Sequence, residues 1–93
     1  ALVEAGEAVG LPKQIASELV LQTVYGAAKL LHEGSEAPVD LRHKVTSPGG
    51  TTQAGVSKLD ELAVKAAFRA CVIAARDRGQ ELGKEALAKL GKP

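Results

Sequence analysis

The sequence predicts an all-α helical bundle, and two observations carry that prediction. Hydrophobic residues make up 45% of the 93 residues and are mainly Ala, Leu and Val, with one Phe, one Tyr, no Trp and no Met. This composition favours closely packed helices over strands, which prefer β-branched and aromatic residues. Apolar residues also recur at three- and four-residue spacing along most of the chain, which is the helical period. A chain of this length forms one domain with a limited core of its own.

The first two predicted helices are separated by Gly10 and Pro12. Residues 1–10 place their apolar side chains close to one helical face, and Gly10 ends this helix at the C′ position. Pro12 occupies the first position of a second helix, which runs to about Glu33 and stops at Gly34. The second helix has a wide apolar stripe that includes Ile15, Leu19, Val20, Leu21, Val24, Tyr25, Ala27, Ala28, Leu30 and Leu31.

Gly26, in the middle of the second helix, predicts the close approach of another helix. A glycine there costs about 1 kcal/mol relative to alanine, and Ala27 and Ala28 beside it are also small. A helix of roughly 22 residues is about 33 Å long. One small domain can hardly cover such a helix on more than one side, so we expect a partner subunit to cover it.

A short third helix is predicted over residues 38–44, followed by the loop that begins at Val45. Asp40 lies in its first turn and three cationic residues in its last turn, where charges of these signs complement the helix dipole. His43 has this structural role or, as an open alternative, lies beside an anion held by the following loop. His32 is expected to cap the second helix. Two histidines without Cys or carboxylate at ligand spacing predict no metal site.

The region 53–83 is helical in pattern throughout, but the number of helices is open. Val56, Leu59 and Leu62 lie on one face, and a further stripe follows from Val64. Either one long helix or two helices with a bend near residues 60–63 fits, and Asp60 could cap the second. Cys71 lies among apolar positions without a His or acidic partner in sequence, so we expect a buried small hydrophobic residue and not a nucleophile.

Charge and targeting signals narrow the class of protein. The net charge of +1 gives no reason to expect nucleic acid as a partner, although residues 1–62 carry −3 and residues 63–93 carry +4. No apolar run approaches the roughly 18 residues of a transmembrane helix, and there is no signal-peptide pattern. A single Cys forms no internal disulfide, and we expect a cytoplasmic location, with a mitochondrial one also open. The chain starts without Met inside a predicted helix, so we expect a fragment whose N-terminal part is missing.

The loop from Val45 to Thr52 concentrates residues with special backbone chemistry: Val45-Thr46-Ser47-Pro48-Gly49-Gly50-Thr51-Thr52. Pro48 and Gly49 fit the two central positions of a type II turn. Thr51 and Thr52 are suited to cap the helix that follows. Such a turn at a helix N-terminus presents N–H groups to an anion. The loop is therefore either a tight connector or a site for a carboxylate or phosphate, and it lacks the lysine and preceding strand of a P-loop.

This loop, followed by Gly55-Val56 and Leu59-Asp60, resembles the signature of the pyrroline-5-carboxylate reductase family. Upstream, Leu11-Pro12 after Gly10, then Gln22-Thr23-Val24 and the run 26–31, are similar to the C-terminal helical domain of the same family. The resemblance covers almost all of residues 1–83. One departure is the pair Leu62-Ala63, where the family usually has a Gly-Gly turn.

The resemblance implies an all-α domain like the C-terminal domain of 6-phosphogluconate dehydrogenase, spanning residues 1–93 and interlocked in a homodimer. Such dimers are often assembled into rings. It also implies the final step of proline biosynthesis, in which NADPH, or possibly NADH, reduces 1-pyrroline-5-carboxylate to L-proline. The cofactor would be held mainly by an N-terminal nucleotide-binding domain that this chain lacks, so the fragment alone is expected to be inactive.

The resemblance also assigns roles within the loop. The substrate, a cyclic imine carboxylate, would lie on Gly49 and Gly50, and its carboxylate would accept the backbone N–H groups of Gly50, Thr51 and Thr52. The Thr52 hydroxyl would face the ring nitrogen as the catalytic group, and Ser47 would lie beside the nicotinamide or the substrate. Two other functions remain open, a stand-alone helical dimerisation module and the helical domain of another reductase.

Overall fold

The computed structural model describes residues 1–91, which form α-helices and connecting loops without a strand in that range. The helices in these residues are α1 (Leu2–Ala8), α2 (Lys13–Glu33), α3 (Pro38–Val45), α4 (Thr51–Glu61) and α5 (Val64–Leu90). The predicted all-α class is confirmed. From the sequence we also expect the terminal run Gly91-Lys92-Pro93 to fray, and Lys92 and Pro93 lie outside the described residues.

The chain divides into two compact units, residues 1–45 and residues 46–93. In the first unit, α1 packs against α2 through a contact between Gly6 and Ala16. A Cβ atom placed at Gly6 would lie only 2.9 Å from the Cβ atom of Ala16. Ala16 is 1% exposed and is the single buried hydrophobic residue among residues 1–91. The two helices therefore meet at a point where only a glycine fits.

Gly10 ends α1 in the predicted C′ position. Its N–H donates to the Glu7 carbonyl oxygen and the Leu11 N–H donates to the Gly6 carbonyl oxygen, both at 3.0 Å. This pair of bonds is a Schellman motif, which needs a left-handed residue at C′. Gly10 supplies it with φ of +102°.

The start of α2 and the length of α3 differ from the predictions by one residue. Pro12 is the N-cap of α2 and not its first helical residue, because its φ of −59° and ψ of 145° are extended, while its carbonyl oxygen accepts the Ala16 N–H at 2.9 Å. α3 extends to Val45, so the loop is shorter by that residue. The acidic and basic residues of α3 lie in the first and last turns as predicted, and His32 lies in the last turn of α2.

In the second unit, residues 53–83 belong to two helices that meet at Leu62 and Ala63. The Leu62 N–H donates to the Lys58 carbonyl oxygen at 3.0 Å and ends α4. Ala63 is the N-cap of α5 and has left-handed dihedral angles, φ 56° and ψ 43°. Asp60 therefore does not cap the second helix. Ala63 occupies a conformation that usually belongs to glycine, at the place where the sequence departs from the Gly-Gly pattern of the family it resembles.

The long helices leave most of their apolar side chains uncovered. Val24 and Leu30 of α2 are 54% and 58% exposed, and Phe68 and Val72 of α5 are 69% and 66% exposed. The predicted burial of Cys71 is wrong within this chain, because Cys71 is exposed on α5. A Cβ atom at Gly26 would meet nothing within 4 Å, so no other helix among residues 1–91 makes the predicted close approach. The helical period predicts which residues share a face of a helix, but it does not say what covers that face.

Candidate functional site

The loop of residues 46–50 forms the predicted turn. The Gly50 N–H donates to the Ser47 carbonyl oxygen at 3.0 Å, which closes a turn over Pro48 and Gly49. Gly49 has φ of +74°, the value that the third position of a type II turn requires. Gly50 is also constrained, because a Cβ atom there would lie 3.2 Å from the Ser47 carbonyl oxygen. The positive φ of Gly49 and the tight contact at Gly50 are therefore two separate reasons for glycine at these positions.

The turn leads directly into the N-terminus of α4. Gly50 is the N-cap, and its carbonyl oxygen accepts the Ala54 N–H at 3.2 Å, the first bond of the helical ladder. The N–H groups of Thr51, Thr52 and Gln53 precede this donor, so the helix provides no acceptor for them. The prediction that a threonine caps α4 is wrong, because Thr51 and Thr52 are its first two residues and no side chain caps it.

The N–H groups that the resemblance assigned to a carboxylate are not equivalent in the structure. The Gly50 N–H is already donated to Ser47 within the turn. The Thr51 and Thr52 N–H groups belong to the first turn of α4, where the positive end of the helix dipole adds to their attraction for an anion. The Gly50 N–H therefore closes the turn, and the Thr51 and Thr52 N–H groups are the donors that remain at the end of the helix.

The side chains around these donors are accessible and uncharged. Ser47 and Thr51 are exposed, while Thr52 is half-buried. The first turn of α4 carries no acidic residue that would repel an anion. The arrangement can bind an anion through N–H groups and supply hydroxyl groups beside it, but it includes no strong acid or base. His43 lies in the other compact unit, so its proximity to an anion on this loop stays a prediction.

Gln53 joins the site in a way that the sequence pattern had not indicated. Its side-chain Oε1 accepts the backbone N–H of Gly49, so the first turn of α4 reaches back to the loop. Gln53 is the third residue after the N-cap Gly50. This is the spacing at which Gln or Glu closes a capping box, although here the bond reaches one residue further back. The three-residue spacing between Gly50 and Gln53 is the sequence signal that could have identified Gln53 as part of the site.

The described residues offer neither a metal-binding cluster nor a membrane-spanning helix. Within residues 1–91, no group of three or more His, Cys, Asp or Glu side chains is placed to hold a metal ion. None of the helices in this range combines the length and the apolar character needed to cross a bilayer.

The chain is similar to pyrroline-5-carboxylate reductases of several organisms. It is 49% identical over 85 residues to a pyrroline-5-carboxylate reductase of Synechocystis, covering 91% of this chain and 32% of that protein. It is 43% identical over 84 residues to a pyrroline-5-carboxylate reductase of Arabidopsis thaliana, covering 90% of this chain and 30% of that protein. This chain therefore spans about a third of the length of these curated relatives.

A solved structure agrees with the sequence comparisons. The crystal structure of Plasmodium falciparum pyrroline carboxylate reductase, which has NADP bound, matches this fold with a TM-score of 0.80 and 30% identity. The match covers 83% of this chain and 31% of the other. The family model described as pyrroline-5-carboxylate reductase dimerisation matches residues 1–82, which is most of the chain. The chain belongs to the pyrroline-5-carboxylate reductase dimerisation family.

Proposed function

We propose that this chain is the dimerisation and substrate-binding part of an enzyme that reduces 1-pyrroline-5-carboxylate to L-proline with NADPH or NADH. The observation that carries this proposal is the Ser47–Gly50 turn, which leads into α4 with the N–H groups of Thr51 and Thr52 at the helix end. Family membership supports the choice of ligand, because the substrate of a pyrroline-5-carboxylate reductase bears a ring carboxylate. A carboxylate is the kind of anion that such a helix end binds.

Each loop residue has a distinct role in the proposed reaction. The N–H groups of Thr51 and Thr52 hold the carboxylate, and Gly49 and Gly50 give the turn that lets the substrate approach the backbone. The hydroxyl of Thr52 hydrogen-bonds to the ring nitrogen and orients the imine carbon. Ser47, at the exposed start of the turn, lies beside the nicotinamide or the substrate. These groups position the substrate, and a protonated imine is already electrophilic, so no strong acid is required.

The cofactor is proposed to be held mainly by a nucleotide-binding domain outside this chain, and when bound it supplies the hydride. NADP is bound in the Plasmodium falciparum relative. Residues 1–91 contain the turn and helices but no strand, so a βαβ nucleotide fold is not among them. The chain on its own is therefore proposed to bind the substrate without turnover.

We also propose that two copies of the chain form a dimer through the apolar faces of α2 and α5. The long helices carry large exposed apolar side chains along much of their length, and a groove of 540 Å³ between α2 and α3 is lined mainly by apolar residues. Leaving such faces in water costs about 25 cal/mol for each Å² of apolar surface. A second copy offers matching faces, and the family description names dimerisation. Assembly of dimers into rings and a cytoplasmic location remain part of the proposal.

Calorimetric titration of the dimeric chain with L-proline, the product, tests the carboxylate site. We expect millimolar or tighter binding. Thr52→Val should weaken it by about fivefold, because it removes one hydrogen bond to the ring nitrogen, worth about 1 kcal/mol. Thr51→Val is the matched control, since it removes the neighbouring hydroxyl and keeps the N–H group.

Two results would contradict the proposal. Absence of L-proline binding at millimolar concentration in a confirmed dimer would refute the carboxylate site, and would leave a dimerisation module with a connecting loop. A monomer at all concentrations in sedimentation would refute the dimer. Equal losses in Thr51→Val and Thr52→Val would refute the separate role of Thr52.

A further inference from the structure

We infer that Gln53 is a positioning residue that holds the Ser47–Gly50 turn in its substrate-binding conformation. Its side-chain Oε1 accepts the Gly49 N–H and so ties the turn to the first turn of α4. The inference rests on the proposed function, because it assigns Gln53 an effect on the same carboxylate site. Gln53 acts through the backbone of the loop and does not itself touch the substrate.

The turn needs this second attachment because its centre is flexible by nature. Gly49 adopts φ of +74°, and a glycine visits positive and negative φ about equally when nothing holds it. The turn itself has one bond, from the Gly50 N–H to the Ser47 carbonyl oxygen. The Gly49 N–H is not used by that bond, and Gln53 supplies its acceptor. Two bonds from consecutive N–H groups fix the peptide planes on both sides of Gly49.

The conformation of the turn decides where the carboxylate donors point. Gly50 is both the last residue of the turn and the N-cap of α4, with extended angles of φ −84° and ψ 176°. A rotation at Gly49 moves Gly50 and changes the approach to the Thr51 and Thr52 N–H groups. If the competent conformation is populated only in part, the apparent dissociation constant rises by the inverse of that fraction. A single hydrogen bond changes such a population by about two- to tenfold.

The exposure of Gln53 allows its hydrogen bond to be tested by substitution. Gln53 is exposed, so its replacement removes no packing in the chain. Gln53→Met keeps the length of the side chain and the helix propensity while it removes the acceptor. Gln53→Glu restores an acceptor oxygen at the same position and tests whether the bond to Gly49 is recovered.

The first measurement is amide hydrogen exchange on the 93-residue chain by NMR, without ligand. We expect the Gly49 N–H to exchange about two- to tenfold faster in Gln53→Met than in the unmodified chain, and to regain protection in Gln53→Glu. Gly10, in the Schellman turn after α1, is the internal control and should not change. Unchanged exchange at Gly49 in Gln53→Met would overturn the inference, as would equal acceleration at Gly10.

The second measurement is calorimetric titration of the unmodified chain and of Gln53→Met with L-proline. We expect the dissociation constant to rise by about two- to tenfold in Gln53→Met, measured at a temperature where circular dichroism shows the variant to be fully folded. If L-proline binds both proteins equally, the positioning role is refuted while the proposed function stands. If L-proline fails to bind even the unmodified chain, the proposed function fails and the positioning role fails with it.

Discussion

Replacing Ala63 by glycine should stabilise the protein. Ala63 is the only non-glycine residue with positive φ among residues 1–91, at φ 56° and ψ 43°. An L-residue with a Cβ atom pays about 1–2 kcal/mol for the left-handed conformation. Glycine avoids that cost but adds about 0.4–1 kcal/mol of backbone entropy to the unfolded chain. The midpoints of these two ranges differ by about 0.8 kcal/mol, so we expect a net stabilisation of about 0.5–1 kcal/mol for Ala63→Gly.

Thermal unfolding followed by far-UV circular dichroism measures this change. In a domain of this size, 1 kcal/mol corresponds to a shift of about 4–8 °C in the melting temperature. We therefore expect a rise of about 2–8 °C, at one fixed protein concentration because a dimer unfolds in a concentration-dependent way. Leu62→Gly is the matched control: Leu62 has φ of −89°, so glycine relieves no strain there and should destabilise. A melting temperature for Ala63→Gly at or below that of the unmodified chain would refute the strain at Ala63.

Three further predictions test the helix contacts and the loop. Gly6→Ala should destabilise the chain by up to about 2 kcal/mol in thermal unfolding, because overpacking against Ala16 exceeds the roughly 1 kcal/mol gain in helix propensity; a stabilised variant would contradict that contact. Gly49→Ala should weaken L-proline binding in calorimetry, because Gly49 has φ of +74° and a Cβ atom disfavours that conformation of the turn. Gly10→Ala is the control, since Gly10 has φ of +102° but lies outside the loop. It should lower the stability of the chain without weakening L-proline binding by the folded dimer. Gly26→Ala should weaken the dimer at least tenfold in sedimentation equilibrium, because a Cβ atom at Gly26 would meet no neighbour within 4 Å among residues 1–91, and a partner helix is the expected neighbour. An equally tight dimer would contradict this.

The sequence predicted the elements of this fold well where a local chemical signal marks them. Gly10 ends α1 because only a left-handed residue satisfies the Schellman bonds, and Pro48-Gly49 forms the turn that the pair predicts. The junction at Ala63 could not be located by pattern, since alanine gives no sign of a left-handed angle. Tertiary contacts, not local propensity, hold such a residue in place.

Two features of the candidate site were also beyond the sequence signals used. Thr51 and Thr52 were expected to cap α4, but the N-cap is Gly50, whose N–H closes the turn onto Ser47 and where a Cβ atom would make a tight contact of 3.2 Å with the Ser47 carbonyl oxygen. The role of Gln53 depends on a side-chain bond to Gly49, which neither hydrophobic periodicity nor turn composition reports. The prediction that Cys71 is buried was wrong for a related reason. An apolar stripe indicates one face of a helix, but it does not show what packs against that face.

The nearly coreless first unit, in which Ala16 is the single buried hydrophobic residue, bears on how the protein is made in a cell. Under the proposed dimer, side chains of α2 and α5 that are exposed in one chain become interior side chains of the assembly. A newly synthesised chain carries those apolar faces uncovered until it meets a second copy, so pairing competes with aggregation. The unpaired chain is therefore the form that a chaperone would bind.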